Sequence, residues 1–88
     1  MVFIDKIKLS RNSRFGDTDT QNVVSMKKMF RGANLFNRNI NTWNTQNVKY
    51  MSNMFENAIK YNQSINNWNV ENVIDKSNMF TGAISYNQ

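Results

Sequence analysis

The residues of this chain whose types best suit chemistry are cations. Lys27, Lys28 and Arg31 fall within one short stretch, and Lys6, Lys8, Arg11, Arg14 and Arg38 are near them in sequence. Residues 1–38 hold eight Lys or Arg against three Asp, a net of +5, whereas residues 39–88 hold three of each sign and are neutral. A cluster of this kind attracts phosphates or an acidic surface. No DNA- or RNA-binding motif accompanies it, so a solvated face that keeps the protein soluble is the simpler explanation. Trp43 and Trp68 are the other candidates, since an indole can stack a sugar or a base. They stand 25 residues apart in matching contexts, which points instead to a repeated structural position. A buried indole N–H there needs a partner in the adjoining turn.

The rest of the composition excludes more than it suggests. Histidine and cysteine are absent, which removes the commonest general base, the commonest metal ligand and any disulfide. The six acids, Asp5, Asp17, Asp19, Glu56, Glu71 and Asp75, form no pair at a defined spacing. Asp17-Thr18-Asp19 resembles a fragment of a calcium loop, without the ligand run or the distal Glu that such a loop requires. There is no phosphate-binding glycine loop. The expectation is a protein that is not an enzyme and that holds no cofactor and no metal. Asn62-Gln63-Ser64 matches the glycosylation sequon, but no export signal accompanies it. No stretch reaches the roughly 18 apolar residues of a membrane span.

What must position these residues is a repeat. Phe36 to Ala58 is written again 25 residues later as Tyr61 to Ala83. Ile40 and Ile65, Trp43 and Trp68, Asn47 and Asn72, Val48 and Val73, Met54-Phe55 and Met79-Phe80 all align. An earlier partial copy runs through Asn22, Val23, Met26, Met29-Phe30 and Gly32-Ala33. A fixed period of this length marks a stacked architecture in which each unit covers its neighbour's apolar face. The expected organisation is an N-terminal cap strand over 1–11, then about three coils over 12–88. These are 12–35 (degenerate), 36–60 and 61–88 (incomplete).

Within a copy, Val48, Met51, Met54, Phe55 and Ala58 fall at i, i+3, i+6, i+7 and i+10, which predicts one short helix. Thr45 or Asn47 would cap its start. Gly32, Asn57 and Gly82 share one repeat position, and Gly and Asn tolerate the left-handed conformation that ends a helix. Short strands are expected near Ile40–Trp43 and Ile65–Trp68, paired in parallel from coil to coil. The expected core is Ile40, Val48, Met51, Met54, Phe55, Ile65, Val73, Met79 and Phe80. Asparagine supplies 17 of the 88 residues, and its recurrence in register, as at Asn22/Asn47/Asn72 and Asn37/Asn62/Asn87, implies amides that bond backbone groups from copy to copy.

The string W-N-x-x-N-V-x-x-M-S-N-M-F-x-x-A, continued by Y/F-N-x-x-I-N-x-W, resembles the 25-residue repeat of the BspA-like surface proteins, a leucine-rich-repeat-type family of bacterial surface lipoproteins with copies in protists and large DNA viruses. The resemblance spans about residues 12–88. It implies an α/β repeat fold: a short leucine-rich-repeat-like solenoid with a parallel ladder of short strands and one short helix per coil. It also implies surface display or adhesion, at the cell surface or secreted. This chain departs from the family in having Asn44 and Asn69 where Asp usually follows the tryptophan, and it shows no export signal or lipid-bearing cysteine.

The functional expectation is a non-enzymatic protein-interaction module that binds through the side of the solenoid, with Lys27, Lys28, Arg31, Arg38, Trp43 and Trp68 as candidate contact residues. The alternative is a basic protein that associates with nucleic acid or an acidic surface. A further expectation is self-association, or capture of another protein, through an open C-terminal coil.

Overall fold

The structure, a computed structural model, describes residues 20–88. The expected cap strand over 1–11, Lys6, Lys8, Arg11 and Arg14, and the start of the first coil lie outside the described residues.

The repeat becomes turns. The first full copy closes four-residue turns at 20–23, 26–29, 28–31, 30–33, 33–36 and 40–43, each by an N–H that donates three residues back. The second repeats them at 45–48, 51–54, 53–56, 55–58, 58–61 and 65–68. The third repeats the first five, from 70–73 to 83–86. Among the described residues there is no helix, and the only strand-like pairing is a pair of isolated parallel bridges, Ser25 to Tyr50 and Tyr50 to Asp75. The expectation of an α/β solenoid with a strand ladder and a helix per coil is therefore wrong.

The physical reason is in the backbone. Lys28, Asn53 and Asn78 share one repeat position and have φ of 60°, 57° and 55°. Four residues on, Gly32, Asn57 and Gly82 have φ of 71°, 59° and 76°. Two left-handed residues four positions apart in each copy stop the right-handed winding that an i to i−4 bond needs. Each stands third in its turn, the place that takes Gly or Asn in turns with a positive φ there. Gly82 answers to a second demand as well, because a Cβ there would run into the Asn57 Oδ1 of the copy before it. The apolar spacing that suggested a helix arises because three-residue steps bring i and i+3 to one side, as a helix does. The segments expected as strands, Ile40–Trp43 and Ile65–Trp68, are themselves closed turns.

The N–H groups that the turns leave over bind the next copy. Met26, Lys28, Phe30 and Gly32 donate to the carbonyls of Tyr50, Ser52, Met54 and Glu56 at 2.8–3.0 Å. Met51, Asn53, Phe55 and Asn57 donate in turn to Asp75, Ser77, Met79 and Thr81 at 2.8–2.9 Å. Alternate residues thus close turns within a copy and tie copies together. Side chains extend this pairing. The Thr20 and Thr45 hydroxyls donate to the carbonyls of Asn44 and Asn69, and the Asn47 and Asn72 amides to those of Gln21 and Gln46. Thr45 and Asn47 therefore reach sideways to neighbouring copies, and there is no helix start for them to cap.

Apolar side chains fill the inside of the stack. Ile40, Val48, Met51, Met54 and Phe55 are fully buried, Met79 is buried, and Ile65, Val73 and Phe80 are half-buried in the last copy. The rings form columns: Phe30, Phe55 and Phe80 follow one another at 5.5 and 5.3 Å, and Phe36, Tyr61 and Tyr86 at 5.6 and 5.9 Å.

The central ring carries the largest load. Phe55→Ala removes a fully buried ring stacked on both sides and should cost about 3–5 kcal/mol, against clearly less for Phe80→Ala; thermal melts of the two variants check the order. The backbone makes a second set of expectations. Asn57→Gly should be neutral or slightly stabilising and Asn57→Val destabilising, because a β-branched residue fits the left-handed region poorly. Lys28→Asn should gain roughly 1 kcal/mol by relieving a left-handed lysine, which denaturant midpoints would report.

Candidate functional site

The cation cluster divides in the structure. Lys28 and Arg31 line an open depression of about 410 Å³ together with Gly32 and Asn57. Lys27 is exposed beside them and lies close enough to Asp75 to help lower that carboxyl's pKa. The larger cause of that lowering is the hydrogen bonding of Asp75 to the backbone N–H and hydroxyl of Ser77. Arg31 is paired through Nε with Glu56 Oε1, at the same repeat position one copy on. Arg31 is thus paired with an acid supplied by the next copy, and the field that would attract a phosphate is weakened there. Arg38 is elsewhere, at the repeat position of Gln63 and Gln88, on the flank where amides stack. On that flank Asn37 Oδ1 accepts from the Asn62 N–H and from Gln63 Nε2, and Asn62 Oδ1 accepts likewise from Asn87 and Gln88.

The tryptophans are internal. Trp43 and Trp68 are 3% and 7% exposed, with Trp43 stacked on Phe30 and Trp68 on Phe55. Trp68 Nε1 donates to the Ile40 carbonyl at 2.9 Å, in the copy before it. Among the described residues, no group of three or more His, Cys, Asp or Glu could hold a metal ion. No helix there is long and apolar enough to cross a membrane.

Two features escaped sequence reasoning. The first is an exposed apolar strip on the turns 33–36, 58–61 and 83–86. Ile59 and Ile84 occupy one repeat position, Leu35 the next one along, and they are 37%, 82% and 83% exposed. The signal was there to be found, because all three fall in the second and third positions of turns, where side chains point outward. The second is Tyr61, fully buried with a hydroxyl that has no hydrogen-bond partner. Burial, and then the nearness of Tyr86, pushes its pKa well above the ordinary value of 10.0.

The profile of a family described as "Mycoplasma protein of unknown function, DUF285" matches residues 2–88. Among curated proteins and solved structures, nothing matches.

Tyr61 yields the prediction for this region. Phe36 occupies the same place in the first copy, so Tyr61→Phe keeps the ring column and removes a hydroxyl buried without a partner. It should stabilise the protein by about 1 kcal/mol at neutral pH. The folded state holds the phenol neutral while the unfolded chain ionises it near pH 10. Stability is therefore full below that pH and falls as pH rises further. Unfolding curves between pH 8 and pH 12 or so should show that loss reduced in Tyr61→Phe.

Proposed function

The chain belongs to that DUF285 family, which is related to BspA-like repeats, and on this premise we propose that it is a non-enzymatic module that binds other proteins through the side of its stack. The observation that carries the reading is the strip of Leu35, Ile59 and Ile84. Large aliphatic side chains exposed in the same turn of successive copies leave apolar surface in water with no return to the fold. The interior has no use for them, since the core positions are filled by other residues of the same copies. Rigid turns, tied to their neighbours by backbone bonds, present the strip as a preformed surface. Little ordering is then lost on binding. The finer role that suits such a surface, by relation to the BspA-like repeats, is adhesion or surface display. The runner-up, binding of nucleic acid or another polyanion by the Lys27, Lys28 and Arg31 cluster, is weakened by the pairing of Arg31 with Glu56.

The test is a triple variant, Leu35→Asp, Ile59→Asp and Ile84→Asp. Its melting curve should match the wild type closely, because exposed substitutions usually change stability by no more than about 0.5 kcal/mol. Proteins retained by the immobilised wild-type chain at high salt should be lost by the variant. If both chains retain the same proteins, the strip is not the contact. If what is retained is nuclease-sensitive and released by salt, the cation cluster is the site instead.

A further inference from the structure

The strip of Leu35, Ile59 and Ile84 has a spacing set by the stack. It lies on the turns 33–36, 58–61 and 83–86, and each of those turns ends on a ring of one column. The rings, Phe36, Tyr61 and Tyr86, follow one another at 5.6 and 5.9 Å, so the strip advances by nearly the same step from copy to copy. It is also narrow. The other two outward places of these turns hold Asn34, Lys60 and Ser85, all exposed and polar. Lys60 thus stands among the three aliphatic side chains, at the place that Leu35 takes one copy before. Gly32 and Asn57 directly precede the first two turns, and they line the depression that holds Lys28 and Arg31. Residues 20–88 carry seven Lys or Arg against three acids, and one of the three, Glu56, is already paired with Arg31.

We propose that the strip binds an amphipathic α-helix of another protein, laid along the stack with acidic side chains beside its apolar stripe. This names the partner of the lateral surface and rests on that reading of it. The spacing selects a helix. Helical pitch is about 5.4 Å, so residues at i, i+3 or i+4, and i+7 come round once per copy. Same-face residues of a β-strand recur roughly every 6.7 Å, and equivalent residues of a polyproline helix about every 9 Å. Over the two steps of the strip a strand falls out of register by about 2 Å, and a polyproline segment by far more. A helix instead sets one side chain of its apolar face against each copy, the mode in which anchors at helical spacing dock on a preformed apolar surface. The charge selects an acidic partner. Carboxylates beside the apolar stripe meet Lys60 within the strip and Lys28 on the side of the depression. A second copy of the chain suits the strip poorly, because a twofold pairing through it brings Lys60 toward Lys60. A bilayer gains little from three aliphatic side chains, since even a whole myristoyl chain binds only marginally.

The probe is a library of random peptides of about 15 residues, four helical turns, selected on the immobilised full chain. The comparison is the variant Leu35→Ser, Ile59→Ser and Ile84→Ser, which removes the strip without adding charge. Peptides held by the wild type and lost by this variant should carry apolar residues at i, i+3 or i+4, and i+7, with Asp or Glu beside them. They should gain helical circular dichroism when the chain is added, a signal that its described residues lack. A proline at the centre of such a peptide should abolish binding. Lys60→Glu should weaken binding at least about tenfold, and exchanging the peptide's acids for lysine should restore it. Strip-dependent peptides of alternating or proline-rich pattern overturn the helix, and so does a selection that yields no strip-dependent peptide. A bilayer or a second copy displaces it if phosphatidylglycerol vesicles or a dimer are bound by the wild type and not by the serine variant. The lateral reading itself is judged separately, by the proteins that the wild type retains and the aspartate variant loses. If those are lost while no helical peptide is selected, the strip stands and the helix falls.

Discussion

Everything in this protein depends on how the backbone divides its N–H groups. In a helix all of them turn inward along the chain, and in a sheet they alternate between two neighbours. Here every second N–H from Met29 to Ala33 closes a turn three residues back, and those of Met26, Lys28, Phe30 and Gly32 cross to the next copy. A buried polar backbone group left unpaired costs free energy comparable to a lost hydrogen bond, so turns this dense persist only if their remaining donors find acceptors elsewhere. The next copy supplies them. One copy alone would leave half of its donors without partners, and the repeat is therefore a condition of the conformation as well as a pattern in the sequence.

The side chains obey the same arithmetic. Stacking on a fixed period brings like residues over like, which makes columns of rings from Phe30 to Phe80 and from Phe36 to Tyr86. Within each copy the two columns also touch, with near-parallel rings 4.0–4.2 Å apart at Phe30–Phe36, Phe55–Tyr61 and Phe80–Tyr86. The asparagines do for the flank what the rings do for the interior. Their short amides both donate and accept, so Asn37, Asn62, Asn47 and Asn72 can bond the copy above or below at nearly fixed separation. An aspartate in those places would bring like charges into line.

Function in such a molecule belongs to what the stacking does not consume. The tryptophans, first candidates for a binding platform, are spent on packing. Arg31 is paired with Glu56 of the next copy. What remains outside is the aliphatic strip of Leu35, Ile59 and Ile84 on the outer turns. That strip is aliphatic and contains no reactive group.

Much of this was legible in the residues alone. The period, the alignment of Trp43 with Trp68 and of Met54-Phe55 with Met79-Phe80, the structural use of asparagine and the shared conformation of Gly32, Asn57 and Gly82 follow from side-chain identity at a fixed spacing. Such spacing determines which residues must lie over which. The local conformation could not be read that way, because apolar residues at i and i+3 serve a chain of three-residue turns as well as they serve a helix. What separates the two is the left-handed backbone at Lys28, Asn53 and Asn78, and a lysine or an asparagine does not by itself demand that conformation. At Lys28 and Asn53 it accompanies the pairing of copies, with the carbonyls of Ser52 and Ser77 accepting from their N–H groups, and Asn78 repeats it in the last copy. Which residues are stacked on one another was thus determined by the sequence. Whether the chain between them winds as a helix or runs as turns was decided only by the tertiary structure, because the hydrogen bonds that settle it join residues 24 positions apart.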